Sequence, residues 1–189
     1  MKFKSCLFSL VALAIFTASS KPVNAEGKGN IRPTTKLVRA IESQLRTEQP
    51  DLIEEAYQET TYSFIEVDLN NDGITETIVA IRYGSFCSNR YCRAYVFQKT
   101  NNAKNYRLVS SSLLVSRQGE VAILRRRNRG WANISTLLFS YEPREINWWV
   151  FKFNGGKYEQ TEEKLSSRPS NVVLDENSPI FQLKDGGKD

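Results

Sequence analysis

The chain has 189 residues with 26 basic and 21 acidic side chains, no histidine and a formal net charge of +5. Without histidine a Ser-His or Cys-His nucleophile pair is excluded, and no G-x-S-x-G, phosphate-loop or dinucleotide fingerprint appears. The length allows one domain with a substantial core and leaves little room for a second.

Residues 1–25 read as a secretory signal: Lys2 and Lys4 form the charged start, and "CLFSLVALAIF" is an apolar segment too short to span a bilayer. Val23 and Ala25 supply the small residues of a cleavage site, which predicts a mature chain beginning at Glu26; an uncleaved anchor is the alternative. No later window is apolar and long enough to cross a membrane. Cleavage removes Lys2, Lys4 and Lys21 and no acid, leaving 23 basic against 21 acidic residues, a net of +2. That balance gives little reason to expect a polyanion, and nucleic acid is not a predicted partner.

Residues 26–33, "EGKGNIRP", read as a flexible leader. In "TTKLVRAIESQLRTEQP" the apolar residues Leu37, Val38, Ile41 and Leu45 recur at helical spacing, Thr34 or Thr35 can cap the start, and Pro50 marks the end. "DLIEEAYQE" adds a turn or two of helix. From Tyr62 onward the period changes, and β-branched and aromatic runs separated by turn signals predict strands near 63–68, 75–83, 91–99, 106–115, 119–126, 133–141, 146–153 and 157–162. "VFKFNGGKYEQ" predicts a hairpin, with Gly155 and Gly156 free to take positive φ. In "NWWVFKF" both faces of the strand are apolar, Trp149, Phe151 and Phe153 on one and Trp148 and Val150 on the other, so each face needs a cover.

Sequential strands with short connections predict an α+β fold: an N-terminal amphipathic helix followed by a mainly antiparallel β-meander of about eight strands, in a single domain over 34–163. The tail, 164–189, reads as irregular, with apolar patches at 172–174 and 180–183 that could dock. Of three cysteines, Cys6 leaves with the signal. Cys87 and Cys92 remain, and an even pair in an exported chain reads as a disulfide, a local clamp that contributes about 2 kcal/mol. The rivals are a two-thiolate metal site, whose other ligands would have to be carboxylates, and a redox pair, which normally has C-x-x-C spacing.

One stretch carries metal chemistry. In "DLNNDGITE", oxygen donors stand at positions 1, 3 and 5 (Asp68, Asn70, Asp72), Gly73 permits a sharp turn, Ile74 offers a carbonyl and Glu76 stands at position 9. That spacing suits a hard cation, calcium above all, in a structural role. It is not an EF-hand, because position 12 is Val79 and the flanks are strand-like. The competing reading is a metal-free turn, since Asn and Asp tolerate left-handed backbone and bond their own main chain.

This stretch resembles the calcium loops of FG-GAP and VCBS-type β-propeller repeats, D-x-N/D-x-D-G-x-x-D/E before a hydrophobic strand. More broadly, "FIEVDLNNDGITETIVAI", "CSNRYCRAYVFQK", "RNRGWANI" and "VFKFNGGKYE" resemble small exported bacterial proteins that follow such a loop with a cysteine pair and a later G-W. Those relatives often have Gly in place of Asn71, a departure that leaves the oxygen donors untouched. The resemblance implies a fold and a compartment, and no activity.

In "ILRRRNRGW", Arg125, Arg127 and Arg129 fall on one face by strand alternation and, with Trp131, offer an anion-binding patch; a solvated hairpin end is the competing reading. Glu54, Glu55, Glu66, Glu142 and Glu145 are available as catalytic carboxylates, but the sequence pairs no two of them. The chain therefore reads as an exported, non-enzymatic binding or structural domain, periplasmic or extracellular, whose partner would be a protein or polymer at the cell surface. The alternatives are a carboxylate-based glycan or cell-wall hydrolase and an inhibitor of a secreted hydrolase.

Overall fold

The computed structural model describes residues 32–100, 105–139 and 145–185. The predicted signal, residues 26–31 of the leader and the last four residues lie outside them. The first helix, α1 (Thr35–Glu48), starts where Thr34 Oγ1 accepts a hydrogen bond from the Leu37 amide at 3.2 Å, and it buries Leu37, Val38, Ile41 and Leu45. Gln49 ends it, one residue before Pro50. A short helix, α2 (Glu54–Gln58), follows, and the Tyr57 hydroxyl donates back to the Gln49 carbonyl, tying the two helices together.

Among the described residues ten strands follow: β1 (Thr61–Val67), β2 (Glu76–Tyr83), β3 (Tyr91–Lys99), β4 (Tyr106–Ser116), β5 (Val121–Asn128), β6 (Trp131–Phe139), β7 (Ile146–Phe153), β8 (Tyr158–Leu165), β9 (Val172–Leu174) and β10 (Phe181–Gln182). Every paired neighbour is antiparallel. They do not form the single meander that sequential hairpins suggested. One five-stranded sheet has the order β10-β1-β2-β3-β4 and the other β8-β7-β6-β5-β9. The balance is mainly β, with two small helices, rather than evenly α+β.

The chain changes sheet at the turn between β4 and β5. Gly119 stands there at φ +67, and the side chain of Arg82, from β2, lies against it so closely that a Cβ would overlap the guanidinium. Arg82 then donates from Nη1 to the Asp175 carbonyl at 3.0 Å, just beyond β9, so one half-buried arginine links the central strand of the first sheet to the C-terminal segment. Residues after Lys164, expected to be irregular, supply β9 alongside β5 and β10 alongside β1. Each sheet thus receives one short strand from the tail.

The sheets pack on a common core that includes Tyr62, Ile78 and Leu113 from the first and Ile134, Phe151 and Tyr158 from the second. β2, the middle strand of its sheet, is buried from Glu76 to Ile81. Side-chain bonds tie β4 to the second sheet: Thr136 Oγ1 donates to the Leu114 carbonyl at 2.6 Å, and the Tyr158 amide donates to Ser110 Oγ at 3.2 Å. On β7, Phe151 and Phe153 enter this core while Trp148 and Val150 are buried on the opposite face. The β7–β8 turn uses Asn154 Oδ1 to accept from the Gly156 and Lys157 amides, and only Gly155 takes a positive φ there.

Gly119 provides a direct test of the sheet-switch turn. Gly119→Ala should cost about 1–3 kcal/mol, from left-handed strain plus displacement of Arg82, read as a lowered urea midpoint. Gly73→Ala, at φ +84 with open space around the added methyl, carries the strain alone and should cost about 1 kcal/mol. Equal losses at the two positions would show that Arg82 does not constrain the turn.

Candidate metal site

The loop between β1 and β2 begins with Asp68 and closes with Glu76. Asp68 organises it: Oδ1 accepts from the Asn71 amide at 2.7 Å and Oδ2 from the Gly73 amide at 3.0 Å. Asn70 Oδ1 accepts from the Asp72 amide at 2.9 Å, and Asp72 Oδ1 from the Ile74 amide at 2.7 Å. These side-chain bonds hold Asn71 at φ 63 and Gly73 at φ 84, values that asparagine and glycine tolerate best. The loop is therefore a chain of overlapping Asx turns, each polar side chain binding main chain two to five residues ahead.

Glu76 differs from the other donors because it is fully buried. Its neighbours along one face of β2 are Ile78 and Ala80, both inside the core, and that alternation points its carboxylate inward. Oε2 accepts from the Leu69 amide at 2.8 Å, and Oε1 accepts from Gln98 Nε2 at 2.9 Å and from Asn70 Nδ2 at 3.4 Å. These partners are uncharged. Burial pushes the Glu76 carboxyl up to about 7, the hydrogen bonds from Leu69 and Gln98 oppose the shift, and the nearby Asp72 and Asp68 reinforce it. Tyr158 lies within the same electrostatic neighbourhood. Burial, and secondarily Glu76, keeps its hydroxyl protonated, and it donates to the Ala132 carbonyl at 2.8 Å.

The second sheet reaches into this loop. The Leu69 carbonyl accepts from the Ala132 amide at 2.7 Å and from Arg127 Nη1 at 2.8 Å, while Arg127 Nη2 donates to Asn71 Oδ1 at 2.7 Å. Arg127 also holds the Gly130 carbonyl at 2.7 Å. Its guanidinium is thus engaged by the loop and the β5–β6 turn. The other members of the arginine stretch point elsewhere: Arg126 pairs with Glu163, which Lys152 also meets at 3.1 Å, and Arg129 lies against Gly155 at φ 50. Arg125 is exposed. Trp131 stacks on Phe153 with ring centroids 4.5 Å apart and packs against the core. The four residues predicted as one anion patch are therefore distributed among different neighbours.

Cys87 and Cys92 form a disulfide that closes the turn between β2 and β3. Of the carboxylates considered for catalysis, Glu54 and Glu55 are adjacent on α2, and Glu66 and Glu145 lie elsewhere. Glu54 pairs with Arg46, and Glu55 follows it on α2; Glu66 pairs with Lys99 at 2.8 Å, Glu145 accepts from Asn147, and Glu142 lies outside the described residues. Among the described residues no three His, Cys, Asp or Glu side chains converge on one point as a metal centre, and no helix is long and apolar enough to cross a membrane. The loop's donors do fit a hard cation in kind: the Asp68, Asp72 and Glu76 carboxylates, the Asn70 amide oxygen and the Ile74 carbonyl are all oxygen ligands, and each retains lone pairs beyond the bonds described. Comparison with family models, with curated proteins and with solved structures gives no significant match.

The raised Glu76 carboxyl sets a pH dependence. The folded chain holds a proton that the unfolded chain, at the ordinary value of 4.5, releases, so stability in a chelating buffer should fall as pH rises from about 4.5 to about 7. Glu76→Gln should flatten that fall, measured as urea midpoints across the window. An unchanged slope would mean that Glu76 is already ionised when folded.

Proposed function

We propose that the protein is an exported, non-enzymatic binding or structural domain in which loop 68–76 holds one calcium ion. The observation that carries the reading is the buried Glu76 carboxylate, bonded only to neutral donors and repelled by the nearby Asp72 and Asp68. At neutral pH such a group needs either a proton or a cation. A divalent ion bound by Asp68, Asn70, Asp72, Glu76 and the Ile74 carbonyl would supply the charge, and the side chains would have to turn inward from their present backbone bonds to do so. The resemblance to FG-GAP and VCBS-type loops points the same way. The Cys87–Cys92 disulfide is compatible with an oxidising compartment outside the cytoplasm.

In this reading calcium is structural. It fixes the loop that meets the second sheet through Leu69 and Asn71, and a protein or polymer at the cell surface is the partner class that a rigid, exported β-domain serves. Calcium at about 100 times its dissociation constant should add about 2.7 kcal/mol to stability, seen as a melting temperature several degrees above that in chelator. Asp72→Asn keeps an oxygen to accept from the Ile74 amide and removes one charge. It should lower the melting temperature in calcium and leave it nearly unchanged in chelator. The same temperature for the natural chain with and without calcium would defeat the reading.

A further inference from the structure

A groove of about 540 Å³ opens between the C-terminal end of α1, the disulfide-bearing turn, and strands β3 and β4. It is lined by Glu48 and Gln49 from the end of α1 and by Tyr91 and Arg93 from β3, with Phe86 and Leu114 as apolar lining. Arg93 and Leu114 are cross-strand partners, so their side chains share a face of the sheet. Tyr91 is 40% exposed at this site. The volume falls within the roughly 300–1,000 Å³ typical of small-molecule sites.

The two charges in this groove are each left for something else to meet. Glu48 Oε1 accepts from Gln44 Nε2 and Oε2 from the Tyr95 hydroxyl, both at 2.9 Å, and these donors are neutral. Among the described residues neither Glu48 nor Arg93 forms an ion pair, with each other or with a third group. Both nonetheless act on one point. The Tyr95 hydroxyl is pushed up by burial first and by Glu48 next, and Arg93 opposes them. Glu48 thus meets the Tyr95 hydroxyl directly, and Arg93, the opposite charge, lines the same groove beside apolar surface.

We propose that this groove binds a short peptide with both ends free, its ammonium group held by Glu48, its carboxylate by Arg93, and its apolar side chain against Leu114, Phe86 and Tyr91. A carboxylate suits the planar guanidinium, and an ammonium suits a carboxylate already fixed by two neutral donors. A ligand carrying one charge would leave the opposite group unmatched. The site is separate from loop 68–76 and stands whether or not that loop holds calcium.

The test titrates the isotopically labelled chain, in chelator, with glycyl-leucine, N-acetylglycyl-leucine and glycyl-leucinamide, following amide resonances. Glycyl-leucine should shift Gln49 and residues 85–91, and each blocked peptide should bind at least about tenfold more weakly, as loss of a charge-assisted contact requires. Glu48→Gln should remove the preference for the free amine over the acetylated form, and Arg93→Gln the preference for the free carboxylate over the amide. Both positions lie at the groove rather than in the core, and an unchanged spectrum elsewhere verifies the fold. No shifts at millimolar glycyl-leucine, or equal affinity for all three peptides, overturns the proposal.

Discussion

The Leu69 carbonyl is where two layers of this protein are fixed to each other by direction rather than by contact alone. Apolar packing between sheets is strong but nearly non-directional, and a core of Ile, Val and aromatic side chains tolerates sliding until polar bonds forbid it. Leu69 accepts a main-chain bond from Ala132 and a charged one from Arg127, both across the interface. Asn71 takes the other arm of the same guanidinium, so the loop between β1 and β2 cannot move without disturbing the β5–β6 turn. At another point Arg82 does the same through Asp175. These arginine staples, with the Thr136–Leu114 bond, define how one sheet lies on the other.

That arrangement explains why Glu76 can be buried at all. It sits at the end of the central strand of its sheet, under a loop already held from outside, and its carboxylate receives three donors that fold with it. A buried carboxylate with adequate hydrogen bonds still lacks a countercharge, and the adjacent Asp68 and Asp72 make that lack worse. The loop therefore stores electrostatic tension where it is mechanically best supported. Tension of that kind is relieved by anything positive that reaches it.

Much of the secondary structure was legible in the sequence because its causes are local. Leu37, Ile41 and Leu45 repeat at helical spacing behind a threonine cap, and the Asn-Asp-Gly run and the Asn154–Gly155 step encode their turns in single residues. The break into two sheets was not legible, because it is expressed in contacts between distant positions, such as Arg82 against Gly119, 37 positions apart. Nor were the tail strands, whose few residues acquire a β conformation only beside β5 and β1. The arginine stretch is spread among different neighbours for a specific reason. Alternation groups Arg125, Arg127 and Arg129, but the pairing of β5 with β6 shifts register between Ile123 and Arg127, and Arg129 lies past the end of β5 in a turn at φ 50, where the period-two rule does not apply. The inward aim of Glu76 was readable from its alternation with Ile78 and Ala80, whereas the neutrality of its partners required Gln98 from the next strand.

The tail has a consequence for how the molecule comes into being. β9 and β10 follow all the other strands in sequence, yet one borders β5 and the other borders β1, so each sheet waits on residues made after the rest of its strands. Until they arrive, two strand edges stand open as templates for pairing with other chains. A polypeptide made in this order completes neither sheet before residues 172–182 have been made. The interval before this segment docks is when the chain is most exposed to its neighbours.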